Sequence, residues 1–385
     1  MKTRINILVL LTIAIVVSFC RCKGKTTVNV TGTQTEVALN QLPDATPEKL
    51  PRWRGFNLLE KFQDEPDSLT IIASIWSYNN QPFHEADFQM ISEWGFNFVR
   101  LPMSYKCWIK KDNSSEFRED VLREIDQAVE WGKKYGLHVN INFHRAPGWC
   151  TNPPREIKSI WENDSVLNDC ARHWAMFAKR YKGIPNSQLS FDLLNEPIAS
   201  PEKYYKVVRR LCEAIRAVDP NRLIICDGNW GGIVPMQEFI SLKVGQSGRA
   251  YVPGFITHYR ASWAGWPPGR EFTPPEWPGY DPLHQKYWDK QVLIDKSLKP
   301  WIELKKQGVG VHIGEWGVFN CTPKDVTLAF MEDVLSILKE DDIGWALWNF
   351  RGTFGVMDSY RADVVYEDYK GHRLDRDMLT LLQKY

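Results

Sequence analysis

A (β/α)8 TIM barrel, of α/β class and in a single catalytic domain, is the fold that three observations in this sequence predict. Eight short β-rich runs recur along residues 50–385. Stretches with apolar residues at three- and four-residue steps separate them, so strands alternate with helices as in right-handed βαβ units around a parallel sheet. The runs themselves are nearly continuous in apolar character, which strands buried on both faces require. No glycine-rich dinucleotide loop opens any of the helices, and that removes the main reason to prefer an open doubly wound sheet.

In chain order the strands are "WRGFNLL" from Trp53, "FNFVRLP" from Phe96, "HVNINFH" from His138, "LSFDLLNEP" from Leu189, "LIICDG" from Leu223, "FITHY" from Phe255, "GVGVHIGEW" from Gly308 and "GWALWNF" from Gly344. The clearest helices between them are "REDVLREIDQAVEWGKKYG" from Arg118, "VLNDCARHWAMFAKRY" from Val166, "EKYYKVVRRLCEAIRAVDP" from Glu202 and "KDVTLAFMEDVLSILKED" from Lys324. The segment Arg260 to Trp288 is too long and too rich in Pro and Trp for a simple connection, and long barrel loops shape a cleft. Its Trp263, Trp266 and Trp277 are sugar platforms or loop packing. After the eighth strand a loop and a closing helix follow, with Asp358 read as holding the loop.

The N-terminal end differs from the rest. Residues 1–20 place Lys2 and Arg4 before an apolar run from Ile5 to Val17, the shape of a secretory signal, so the protein is expected to be exported, to the periplasm, the outer surface or the extracellular medium. The "VSFC" ending at Cys20 resembles a bacterial lipoprotein signal, in which that cysteine is lipidated and attaches the chain to a membrane; Phe19 in place of a small residue leaves simple cleavage and an uncleaved anchor open. Residues 21–49, rich in Thr, Asn, Gln and Pro, read as a flexible linker ahead of a catalytic domain over 50–385.

Lys+Arg 48 against Asp+Glu 47 gives a net charge of +1, so no global field would hold a nucleic-acid backbone. A neutral ligand suits this chain better, and the 17 Trp residues supply flat faces of the kind on which sugar rings stack. The eight cysteines match no metal-ligand spacing; Cys212 and Cys226 read as core residues, and Cys107, Cys150 and Cys321 as candidates to staple loops. No cofactor is called for, and a monomer is expected.

Active sites of such barrels gather at the C-terminal ends of the strands. Arg100, His144, Asn195 with Glu196, His258 with Tyr259, Glu315 and Trp348 end six of the eight runs there, and an ionised Glu does not close an apolar strand without a partner or a task. Two opposed carboxylates in a neutral cleft suit glycosidic cleavage, with Glu196 and Glu315 as the pair. Arg100 beside Glu315 would keep it ionised as a nucleophile, while burial would raise the pKa of Glu196 so that it keeps its proton. Trp149, Trp230 and Trp316 are further candidates to contact a sugar.

This ordered set, "RLP" at strand two, "NEP" after strand four, "GEWG" at strand seven and the strand-eight Trp, resembles glycoside hydrolase family 5, the retaining Glu/Glu barrels of the cellulase family, over about residues 50–385. The resemblance implies hydrolysis of a β-linked polysaccharide or oligosaccharide, with Glu196 as acid/base, Glu315 as nucleophile and Arg100, His144, Asn195, His258, Tyr259 and Trp348 in support. The family commonly sets His and Tyr two apart at strand six, whereas "HYR" sets them adjacent, so one of His258 and Tyr259 is expected to reach the sugar. A non-catalytic surface carbohydrate-binding lipoprotein is the competing reading, and β-mannan or another β-glycan the competing substrate.

Overall fold

A computed structural model describes residues 42–63 and 82–385; the expected secretory signal, Cys20 and most of the expected linker lie outside the described residues. Eight parallel strands close a barrel: β1 (Arg54–Asn57), β2 (Phe98–Ser104), β3 (His138–Ala146), β4 (Leu189–Asp192), β5 (Ile224–Asp227), β6 (Gly245–Ala250), β7 (Val311–Trp316) and β8 (Gly344–Leu347). Each pairs with its neighbours in chain order, and β8 returns to β1 through Arg54↔Trp345, Gly55↔Ala346 and Phe56↔Leu347.

The four helices read from periodicity form where their apolar stripes fall. In α2 (Glu119–Tyr135), Leu122, Ile125, Ala128, Val129 and Gly132 are buried against the barrel, and Gly136 ends the helix at φ 65, a conformation that costs a glycine least. Asn163 caps α3 (Asp164–Arg180) by accepting from the N–H groups of Ser165 and Val166, and Ser200 with Pro201 opens α4 (Pro201–Arg216). A shorter α1 (Glu85–Glu93) precedes β2, α5 (Lys299–Lys306) precedes β7, α6 (Lys324–Glu340) precedes β8, and α7 (Arg376–Lys384) follows the barrel. Between β5 and β6 the crossover carries only short turns, the longest of them a 3-10 helix over Gln237–Leu242.

The sixth strand corrects the sequence reading. "FITHY" does not enter the barrel; Gly254–Thr257 forms one helical turn beyond it, and the strand is Gly245–Ala250, "GQSGRA". Its glycines hide it from an apolar pattern. A Cβ on Gly248 would meet the Trp301 ring at 2.6 Å, and one on Gly245 would meet Leu50 at 3.2 Å, so bulk arriving from outside the strand replaces side chains on it.

The linker boundary moves as well. Residues 42–49, assigned to the flexible linker, lie against the barrel's N-terminal end, where Ala45 and Leu50 are buried with Trp53 and Phe98 and the Gly310 N–H donates to the Pro47 carbonyl. No disulfide joins two of the described cysteines; Cys170, Cys212 and Cys226 are buried, and Cys321 is exposed. Asp358 does hold its loop, accepting from the Arg373 N–H and pairing with His372 Nδ1 at 2.7 Å.

Candidate active site

Glu315 owes its position to an irregularity in β7. The register of β7 slips between Ile313 and Glu315 against β6 and between Ile313 and Trp316 against β8, and this bulge at Gly314 re-aims the side chain that follows. Asn57 of β1 locks the bulge by donating Nδ2 to the Gly314 carbonyl at 2.9 Å. On the facing side, β4 ends at Asp192, and the chain runs on through Leu193 and Leu194 to Asn195, whose N–H donates to the Phe143 carbonyl. Glu196 then turns into the left-handed region at φ 47, with its N–H on Asp227 Oδ2 at 2.8 Å.

Arg100 ties these strand ends together. Its guanidinium donates to Asp192 Oδ2 at 2.8 Å, Asn57 Oδ1 at 3.0 Å, Glu315 Oε1 at 2.5 Å and Asn195 Oδ1 at 3.0 Å. A second guanidinium, Arg249 of β6, donates to the same Asn195 oxygen at 3.0 Å, pairs with Asp227, and lies 3.1 Å from Glu315 Oε1 and 3.6 Å from Glu196 Oε1. Buried charges persist only when paired, and here two cations hold four carboxyl groups. With the Asn195 oxygen held by both arginines, its buried amide nitrogen has no partner among the described residues and is the donor left for a ligand.

The carboxyl groups are not equivalent. Burial and the charge of Glu315 push Glu196 up to about 8, against the opposing pull of Arg249. Burial and Asp227 push Asp192 up to about 7 despite Arg100, and burial raises Asp227 too. His144 is held well below its ordinary value by burial and by the two arginines, so its ring is neutral; it stacks on Trp348 at 5.5 Å, with Nε2 3.3 Å from Asn152 Nδ2. Tyr251, just past β6, faces Glu315 Oε2 at 3.5 Å, and burial followed by the charge of Glu315 raises its hydroxyl, which stays protonated.

These groups open on a cavity of about 170 Å³ lined by His144, Asn152, Glu196, Tyr251, His258, Trp263, Glu315, Trp348 and Phe354. Of the site residues read from sequence, Arg100, His144, Asn195, Glu196, His258, Glu315 and Trp348 thus come together, His258 from the turn after β6 rather than from a strand end. Tyr259 does not join them; its ring points to Phe272, 5.6 Å away. Trp316 is fully buried against Trp345, with no face for a sugar. Trp149 stands behind the site and donates its indole N–H to the Asn195 carbonyl at 2.8 Å. Trp230 is 58% exposed on the turn after β5, outside the cavity lining. In the long loop Trp263 lines the cavity, whereas Trp266 packs on Phe272 and Trp277 on Phe330 of α6.

Sequence reasoning missed Arg249, Tyr251, Asn57, Asp192, Asp227 and Asn152. Asn57 and the two aspartates lie inside runs that were read as strands, where they are the last residues of β1, β4 and β5, and only attention to every polar group within those runs would have found them. Arg249 and Tyr251 were hidden with the sixth strand. Among the described residues no group of three or more His, Cys, Asp or Glu side chains is placed to hold a metal ion.

Comparison with known proteins agrees with this fold. A family model described as cellulase (glycosyl hydrolase family 5) matches residues 52–353. Endoglucanase C of Acetivibrio thermocellus is 30% identical over 307 residues, covering 74% of this chain and 88% of that protein. A crystal structure of a glycoside hydrolase superposes with a TM-score of 0.76 at 36% identity, over 86% of this chain and 99% of the other. An endoglucanase of Thermotoga maritima, 22% identical, shares the fold with a TM-score of 0.65, over 86% of this chain and 96% of its own.

Proposed function

The chain belongs to the cellulase family, glycosyl hydrolase family 5, and from that premise we propose that it cleaves internal bonds of a β-glucan by double displacement, with Glu315 as nucleophile and Glu196 as acid and base. O-Glycosyl hydrolysis comes with the family; the mechanism and the residue roles are the proposal. One observation carries it. Around one cavity, Glu315 is held by guanidinium groups while Glu196 is raised to about 8, so one carboxyl is set to attack and the other to give a proton at neutral pH. Both lie within reach of the single Arg249 guanidinium, at 3.1 and 3.6 Å, which supports the short separation (~5–5.5 Å) of retaining enzymes over the wide gap of inverting ones.

In the first step Glu315 attacks the anomeric carbon, the glycosidic bond breaks, and the Glu196 proton goes to the leaving oxygen. In the second, water gives a proton to Glu196 and displaces Glu315. Asn195, with its amide nitrogen unpartnered, is suited to donate to the sugar 2-hydroxyl, and Trp348 and Trp263 wall the cavity. Two inversions preserve configuration, so proton NMR of the first-formed product is expected to show the β anomer. An initial α anomer sinks this mechanism.

The same reading places the enzyme outside the cytoplasm, on the strength of residues 1–20. Radiolabelled fatty acid entering the full chain but not its Cys20→Ala variant would support a lipid anchor; label in neither would leave simple cleavage or an uncleaved anchor.

A further inference from the structure

We propose that Arg249 is a shared counter-ion for the two catalytic carboxylates, held by Glu315 before the glycosyl-enzyme forms and by Glu196 after it. The proposal rests on the double displacement above. In that reaction the negative charge changes place: Glu315 becomes a neutral ester when it attacks the anomeric carbon, and Glu196 becomes a carboxylate when its proton leaves with the aglycone oxygen. Hydrolysis reverses both changes. A cation fixed to Glu315 alone would lose its partner at the intermediate and leave the new charge on Glu196 uncompensated.

Arg100 is tied in that one-sided way. Its donors go to Asp192, Asn57, Asn195 and Glu315. Among the described residues Arg249 is the cation with ion-pair contacts to both carboxylates, 3.1 Å to Glu315 and 3.6 Å to Glu196. The two contacts use different nitrogens. Nη2 serves Glu315, Asp227 and Asn195, and Nη1 donates to Ser247 Oγ and the Gly248 carbonyl. The buried Nε makes no hydrogen bond and is the nitrogen that lies 3.6 Å from Glu196 Oε1. One donor is thus unused while Glu196 holds its proton, and it stands where a carboxylate will appear.

The surroundings prevent the arm from swinging away. A Cβ on Gly232 would sit 2.4 Å from Arg249 Cγ, and one on Gly314 would sit 3.2 Å from Nη1, so two backbone segments close directly on the side chain. A fixed cation that need not reorganise as charge moves is most effective in a dry site. The charged and titratable groups around Glu196 are Glu315 on β7, Asp227 on β5, Arg100 on β2, and Tyr251 and Arg249 at the end of β6; of these, Arg249 and Arg100 alone favour its ionised form.

Two measurements test the proposal. In Arg249→Met, the alkaline limb of kcat/KM on a cello-oligosaccharide should move up by about one pH unit, because a cation close to a carboxyl lowers its pKa by ~1–3 units. On 2,4-dinitrophenyl β-cellobioside, whose leaving group needs no proton, turnover should fall with a burst of dinitrophenolate as glycosyl-enzyme accumulates. Arg249→Lys should restore the limb but little of the turnover. A folded Arg249→Met with an unmoved limb and no accumulated intermediate overturns the proposal. The second measurement uses the unaltered enzyme: in a crystal structure of the 2-deoxy-2-fluorocellobiosyl adduct, Glu196 should close to a normal hydrogen bond with Nε. A separation still at or above 3.6 Å overturns the shared role even though the adduct has formed. Failure to form any adduct on Glu315 would instead overturn the double displacement itself.

Discussion

At the N-terminal end of the barrel, Trp53, Phe98, His138 and His312 stack into an aromatic plug; at the C-terminal end, the same barrel carries Arg100, Arg249, Glu196 and Glu315. In the plug, Trp53 and His138 stack at 4.0 Å with their planes 29° apart, and Phe98 meets His312 at 4.7 Å. His138 is neutral there, pushed down to about 3 by burial, and bonds the Ser187 carbonyl and Ser190 Oγ. Rings of this kind need little beyond shape and a few hydrogen bonds. The charged groups at the other end each need a named opposite charge, so that layer is a network in which no member can be lost quietly. Packing fills one end; mutual neutralisation fills the other.

The largest test of that contrast is Glu315→Gln. It leaves the volume of the layer unchanged and removes the proposed nucleophile, so kcat/KM should fall on the order of 10⁵-fold on every substrate, and Glu315→Gly, which vacates the space, should yield an α-glycosyl azide with azide. Glu196→Gln should cost about 10³-fold on cello-oligosaccharides yet spare most of the first step on a dinitrophenyl glycoside, and azide should give the β-glycosyl product. Equal losses on both substrates would erase the distinction between the two carboxyl groups. Trp53→Ala, at the plug, should lower unfolding free energy in urea by about 3–5 kcal/mol while the rate per folded molecule stays within about twofold. A collapse of kcat in that variant would mean that the two ends are not separable.

The smallest effect is the most diagnostic, because His138 of the plug and the raised carboxyls of the charged layer should respond to pH in opposite directions. His138 is depressed in the folded state, so its contribution to stability is present above its ordinary value of 6.5 and is lost as pH falls toward about 3. Glu196 and Asp192 are raised, so their contributions are present below the ordinary values of 4.5 and 3.8 and are lost as pH rises toward about 8 and 7. Urea midpoints across this range should show both limbs. His138→Phe should flatten the acid limb only, and Glu196→Gln should soften the alkaline limb only.

Much of the charged end was legible because several polar and ionisable residues close apolar runs together; singly each has a bland explanation, and Arg100, Glu196 and Glu315 stood out only as part of that set. Arg249 did not. It sits in "GQSGRA", where Trp301 and Leu50 supply the bulk that strand residues normally carry, so neither alternation nor an apolar run marks the strand. The strand-ending tryptophans show a second limit. Trp316 and Trp348 read alike in sequence, but the bulge at Gly314 gives the cleft position to Glu315 and sends Trp316 into the core against Trp345. A one-residue slip of that kind changes which side chain faces the ligand and leaves no mark in composition. The plug was legible only as hydrophobicity, since nothing local tells His138 or His312 that it will lie beneath an indole.

Glu196 holds its left-handed φ of 47 without the freedom of a glycine, and such a conformation costs an ordinary residue roughly 1–2 kcal/mol. Glycine at this position would relieve that strain and remove a carboxyl that is held away from its ordinary ionisation, so the more durable chain would lack the proposed proton donor. Selection for heat resistance alone would therefore act against this residue.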